Sequence, residues 1–220
     1  MNKNISVAID GPAGSGKSTV AKIIGSKLDL MYINTGAMYR AVTLKALEKC
    51  IEPEDTSRLS KMIEEMDMCF VNDELILNNE NINEVITMPN ISNNVSKYAA
   101  IPIVRTLLVS KMQEMAKKYN VIMDGRDIGT VVLKDAPFKF FLVASPEERA
   151  NRRYNEYTLK GIEIHYNELL EDIKRRDYLD STRETSPLVK AEDAIEIDST
   201  KLDINEVVST ILKHISEVEK

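Results

Sequence analysis

Nine residues near the start of the chain, Gly11-Pro12-Ala13-Gly14-Ser15-Gly16-Lys17-Ser18-Thr19, have the types and spacing of a phosphate cradle. Glycines let a backbone fold so tightly that successive N–H groups point inward at phosphate oxygens. A lysine after the last of them reaches the β- and γ-phosphates, and the hydroxyl that follows, Ser18, suits a bound Mg²⁺. The chemistry this supports is phosphoryl transfer from a nucleoside triphosphate, with Lys17 expected as a solvated side chain. Arginine is the second chemical resource. Lysine outnumbers it 19 to 10, and six of the ten arginines fall between Arg149 and Arg183. The planar guanidinium grips phosphate and carboxylate in bidentate fashion, so its sparing use marks positions for anion recognition.

A phosphate cradle needs a strand before it and a helix after it, because the helix N-terminus adds partial positive charge at the anion. The apolar run Ile5 to Ile9 and the helix-like stretch Ser18 to Leu28 supply both. A short strand is predicted at Met31 to Ile33, then a helix from Ala37 to Lys49 with Arg40 in its first turn. Asp55 or Thr56 caps an amphipathic segment carrying Leu59, Met62, Ile63 and Met66 on one face. Met68 to Val71, Glu74 to Leu77 and Ile82 to Ile86 read as a small antiparallel unit inserted into the βα pattern. Pro89 and Pro102 punctuate the next segment, and a long helix runs from Ile103 to Tyr119. Val121 to Met123 is a buried strand that ends in the charged loop Asp124-Gly125-Arg126-Asp127-Ile128-Gly129-Thr130, and ligand sites in open parallel sheets lie at such carboxyl ends. Phe138 to Val143 and Ala194 to Ile197 are further strands. Helices are expected at Pro146 to Lys160, at Ile164 to Asp180, and from Asp203 or Asn205 onward. Five apolar strands alternating with helices imply a three-layer α/β P-loop fold: a five-stranded parallel sheet, a small antiparallel insertion and a helical lid. One domain is expected over 1–220.

The formal net charge of −6 provides no broad positive field for nucleic acid or anionic membrane. No stretch is long and apolar enough to span a bilayer, and the opening residues lack a signal-peptide pattern. Cys50 and Cys69 stand apart from each other and from His165 and His214, so neither a disulfide framework nor a zinc site is indicated. A reduced, cytoplasmic protein is expected, and a monomer suffices.

Arg149, Arg152 and Arg153 share one face of their predicted helix at i, i+3 and i+4, and Arg176, Asp180 and Arg183 share a face of the next. Two arginine faces on either side of Gly161 suggest a lid that closes over phosphates and excludes water. No N-K-x-D reads guanine, and no protein-kinase signature is present. The two histidines are remote from the motifs and read as surface residues, so no strong general base stands out. An acceptor that is itself a phosphate is already ionised near neutral pH and needs charge neutralisation instead. Two other classes stay open on these residues: a P-loop kinase for a non-nucleotide small molecule, and a nucleotide-dependent regulatory protein.

Thr35-Gly36-Ala37-Met38-Tyr39-Arg40, Gly125-Arg126-Asp127-Ile128-Gly129-Thr130, and Arg176-Asp177 through Asp180 to Arg183, together with Asp10 and the P-loop, resemble the bacterial cytidylate kinase family in order and spacing. The resemblance covers about Ile5 to Ile215. It implies transfer of the γ-phosphoryl group of ATP to CMP or dCMP with Mg²⁺. Lys17, Arg126 and Arg183 are then the catalytic cations. The P-loop residues and Arg153 bind ATP, and Ser18 holds the metal. Arg40, Arg126 and Arg183 hold the acceptor phosphate, Arg176 and Asp180 engage the ribose, and Thr35, Ser96, Arg105 and Asp127 surround the cytosine. The segment 34–100 corresponds to a monophosphate-binding lobe that includes the insertion 68–86, and 149–183 to the lid. Asn34 stands where the family commonly has Asp, so no ligand role is carried over to its side chain. Asp124 has two open roles, a local cap or a water-mediated contact to Mg²⁺.

Overall fold

The structure, a computed structural model, describes residues 4–159 and 161–218; Lys160, where a helix is expected to end, lies outside them. Five strands, β1 (Ser6–Asp10), β2 (Met31–Asn34), β6 (Val121–Gly125), β7 (Phe138–Val143) and β8 (Ile195–Asp198), form a parallel sheet in the order β2-β6-β1-β7-β8. Strand residues alternate between two cores. Val7, Ile9, Ile122 and Leu142 face α1 (Lys17–Leu28) and α8 (Ile204–Val218). Ala8, Ile33 and Met123 face the opposite side, against α2 (Thr35–Glu48), α3 (Thr56–Glu64) and α5 (Pro102–Lys118). A parallel sheet buried on both faces requires such apolar runs, and three layers result.

Helix α2 starts at Thr35, two residues before the expected Ala37, because the Asn34 side chain accepts the Ala37 N–H at 3.0 Å and serves as its N-cap. Arg40 therefore sits in the second turn, not the first. Asp55 caps α3 through the Arg58 N–H. Asp203 and Glu206 exchange backbone hydrogen bonds at the start of α8, a capping box.

The insertion pairs β3 (Met68–Val71) with β4 (Glu74–Leu77) and β4 with a two-residue β5 (Glu80–Asn81). The third strand is thus not at Ile82 to Ile86, as expected. Ile82 and Ile86 are buried in the core, and the chain there turns into a 3₁₀ turn, Val85–Thr87. It continues into a helix that the sequence analysis does not anticipate, α4 (Pro89–Ala99), with Ile91, Val95 and Tyr98 buried.

Helices α6 (Pro146–Leu159) and α7 (Tyr166–Thr182) form a hairpin that bends at Gly161, where φ is +70°. Their contact has its own small apolar centre, Ala150, Leu169 and Ile173, separate from the two large cores. Among the described residues no helix is long and apolar enough to cross a membrane. Cys50 and Cys69 are both free and exposed. His165 is exposed, whereas His214 is half-buried, with its ring 6.5 Å from that of Phe140, and is therefore not a simple surface residue.

Candidate active site

The P-loop follows β1 directly and runs from Gly11 to Gly16, the N-cap of α1. Gly11 has φ +147°, and a Cβ there would stand 2.1 Å from the Leu142 carbonyl oxygen of β7, so only glycine fits between the strands at this point. Lys17 is buried rather than solvated, with its ammonium folded back onto the loop. Its Nζ donates to the Pro12 carbonyl at 2.6 Å and to Ser15 Oγ at 3.3 Å. Burial, with the Arg126 charge next, holds its pKa well below the usual lysine range.

One cavity of about 760 Å³ opens beside this loop. Ala13, Gly14, Lys17 and Ser18 line one side, together with Arg153 from α6. Thr35 and Arg40 come from α2, Ser96 from α4 and Arg105 from α5. Arg126 and Asp127 follow β6, and Arg176, Asp180 and Arg183 lie on α7 and its C-cap. Every residue named above for the acceptor therefore faces the same space as the P-loop. Gly11, Pro12, Ser15, Gly16 and Thr19 lie outside the cavity lining, in the backbone scaffold of the cradle and the start of α1.

The anticipated arginine faces are only partly realised. Arg153 lines the cavity, whereas Arg152 is bound to Glu148 and to the Ser199 carbonyl, and Arg149 is buried in a bidentate pair with Asp177. A helix face holds three side chains in line, but their partners decide which of them meets the ligand.

Electrostatics define the far wall. Burial lowers the pKa of Arg176 to about 10, with the neighbouring Arg126 charge adding to the effect. Arg40 and Arg183 are lowered as well, first by burial and then by neighbouring guanidinium groups. Such a crowd of cations with buried, unpartnered Nε atoms on Arg40 and Arg176 calls for an anion. Two carboxylates partly answer it. Asp180 accepts from Arg126 Nε at 2.8 Å; burial pushes its carboxyl up, yet the charges of Arg126, Arg176 and Arg183 hold it below the usual range. Asp127, buried, accepts from Arg105 and lies 3.6 Å from Arg183 Nη2.

A run of cytidylate kinase sequence character spans this whole arrangement: the family model described as cytidylate kinase matches residues 7–217. The chain belongs to the cytidylate kinase family. It is 68% identical over 217 residues to a cytidylate kinase of Clostridium perfringens strain SM101, covering 99% of this chain and all of that protein. A cytidylate kinase of Clostridium acetobutylicum is 56% identical and covers 97% of this chain and 98% of its own length. Among solved structures, an uncharacterized protein from Eubacterium ventriosum superposes with a TM-score of 0.54 at 15% identity, covering 98% of this chain and 99% of that one. A gluconokinase from Sinorhizobium meliloti reaches 0.50 at 14%, covering 99% and 95%. At such identities the likeness is one of fold. Family membership makes this chain a nucleoside monophosphate kinase.

Three contacts of the site do not follow from the order and spacing of the motifs, although Asp10 and Asp177 themselves lie within them. The Asp10 carboxylate, at the end of β1, accepts the backbone N–H groups of Ile128 and Gly129, both at 2.7 Å. It thereby ties the P-loop strand to the π-helical turn Ile128–Val132 that follows Arg126 and Asp127. Asp124, whose role stands open above, accepts from Ser18 Oγ and from the Tyr32 hydroxyl, each at 2.8 Å, while Thr35 Oγ1 donates to its carbonyl. Tyr32 hides within the short strand β2. The third contact is the Arg149–Asp177 pair, which sequence spacing cannot assign because its partners are 28 residues apart.

Proposed function

We propose that the chain transfers the γ-phosphoryl group of ATP to CMP and dCMP, with Mg²⁺, giving CDP or dCDP and ADP. The observation that carries this reading is a single cavity with the P-loop on one wall and Arg40, Arg126, Arg176 and Arg183 on the other. A donor and an acceptor phosphate placed there meet end to end.

The oxygen donors present fit Mg²⁺: the Ser18 hydroxyl and Asp124 carboxylate adjoin at the mouth of the loop. Among the described residues no group of three His, Cys, Asp or Glu side chains could hold a metal, and Mg²⁺ suits one or two protein oxygens with phosphates and waters completing the shell. When bound, the ion neutralises charge on the β- and γ-phosphates. Lys17 exchanges the Pro12 carbonyl for phosphate oxygen. Arg126 and Arg183 draw charge from the transferring group as an oxygen of the acceptor phosphate attacks phosphorus and the bond to the ADP oxygen breaks. No general base is required, because the acceptor oxygen is already ionised. Asp127, held by Arg105, accepts from the cytosine 4-amino group.

In this reading 34–100 acts as the monophosphate lobe and the α6–α7 hairpin, within 149–183, as the lid that shuts water out. The setting is cytoplasmic and the unit a monomer without nucleic acid. Coupled ADP release from the purified chain with Mg-ATP and a panel of nucleoside monophosphates tests the proposal. Turnover is expected with CMP and dCMP; turnover with none of the panel overturns it.

A further inference from the structure

The phosphoryl-transfer scheme leaves one buried arginine unused. Arg149 is only 2% exposed, and its guanidinium joins three parts of the molecule. Nε donates to the Ala144 carbonyl at the end of β7 (2.9 Å), and Nη1 to the Ala13 carbonyl in the P-loop (3.1 Å). Nη1 and Nη2 grip the two Asp177 oxygens on α7 at 2.9 and 2.5 Å. The backbone of the P-loop also abuts the base of this side chain: a Cβ built on Gly14 would lie 3.2 Å from Arg149 Cβ.

A planar fork of fixed geometry cannot follow one of these partners without pulling on the others. Asp177 follows Arg176 in sequence and precedes Asp180 by three residues on the same helix, and both neighbours line the cavity. On the other side, Lys17 Nζ is bonded to the carbonyl of Pro12, the residue immediately before Ala13. Phosphates that draw Lys17 away take one of the two donors from that carbonyl, which keeps Ser15 Oγ at 3.1 Å, and so loosen the loop one peptide before the one whose carbonyl Arg149 holds.

We infer that Arg149 is a positioning residue that couples occupancy of the P-loop to the placement of Arg176 and Asp180, acting through its bidentate pair with Asp177. This rests on the reading of the cavity as a shared donor and acceptor site. The coupling is a property of the linkage, so it shows in the ratio of affinities and not in either affinity alone.

Calorimetric titration of CMP into the full chain, with and without a non-hydrolysable ATP analogue and Mg²⁺, reads that ratio. In the wild type the analogue should tighten CMP at least about fivefold, the low end of ordinary coupling between sites. Asp177→Asn and Arg149→Lys should bring the factor below about twofold, whereas Asp177→Glu, which keeps the carboxylate, should retain most of it. A purely structural role would lower the melting temperature and weaken both ligands while leaving the ratio in place. An unchanged ratio in folded Asp177→Asn overturns the inference, and that variant decides the matter should Arg149→Lys fail to fold. A wild type that binds both nucleotides with a ratio of one overturns the coupling alone. A wild type that binds no CMP overturns the acceptor-site reading together with it.

Discussion

Tyr32 and Asp124 are joined inside the fold by a hydrogen bond of 2.8 Å from the phenol hydroxyl to Oδ1, leaving Oδ2 turned toward Ser18. Burial first, and then the Asp124 charge, push the Tyr32 phenol far above its usual range, so it remains a donor at every working pH. Tyr32→Phe removes that donor and leaves a buried carboxylate oxygen unpaired, at a cost of about 1–3 kcal/mol. Urea unfolding should show that loss. The Mg²⁺ concentration giving half-maximal rate should rise severalfold, and an unchanged Mg²⁺ requirement would show that Asp124 needs no such orientation.

Asp10 gives the stability a specific pH dependence. Burial raises its carboxyl from 3.8 to about 6, against the opposing effect of the Gly129 and Ile128 N–H groups. The folded chain thus holds this proton more tightly than the unfolded chain. Its stabilising contribution is full below pH 3.8 and lost as the pH rises through about 6. One pKa unit is about 1.4 kcal/mol, so the contribution amounts to about 3 kcal/mol. The unfolding free energy of Asp10→Asn minus that of wild type should climb by about that amount between pH 4 and 7. A flat difference across that window would mean that the carboxylate is as well solvated by its two N–H partners as by water.

Lys17→Ala should reduce kcat/KM for CMP by at least about a hundredfold, the scale seen when one preorganised charge is removed from a reacting centre. The fold should survive, since the ammonium is bonded only within its own loop. Circular dichroism and initial rates check the two halves separately, and near-normal turnover in a folded variant would remove Lys17 from the chemistry.

Asp127→Asn should act on both stability and base choice. It leaves Arg105 buried beside a neutral amide, and breaking a buried pair in this way costs about 3–5 kcal/mol. An ionised Asp can only accept, so it favours the 4-amino group of cytosine over the oxygen of uracil. The CMP to UMP ratio of kcat/KM should therefore fall about tenfold to a hundredfold, as expected for losing a hydrogen bond to a charged group. A ratio that holds while CMP turnover drops would transfer base reading to Arg105 or Ser96.

Much of the architecture is legible from periodicity because the five strands are short apolar runs and their helices have clear faces. Helix α4 escapes because Asn90, Asn93 and Asn94 weaken its local preference, and Pro89 reads as a breaker instead of the first helical residue. Its signal is present all the same in Ile91, Val95 and Tyr98, at i, i+4 and i+7. The site arginines are legible because arginine is scarce. Their division of labour is not, since only three-dimensional proximity gives Arg149 to Asp177 and leaves Arg153 in the cavity. Asp10 is legible in the sequence as the residue before the P-loop, but what it holds is not, because its two backbone partners lie well over a hundred residues away.

The 2.1 Å gap between the place of a Cβ on Gly11 and the Leu142 oxygen bears on how this chain tolerates change. Every single-base change of a glycine codon that replaces the glycine with another amino acid introduces a side chain with that carbon. Position 11 therefore has no neutral neighbour in codon space, while Gly161, around which a Cβ would meet nothing within 4 Å, is limited by its positive φ alone and should accept asparagine. A randomised library selected for activity should come back monomorphic at the first position and mixed at the second.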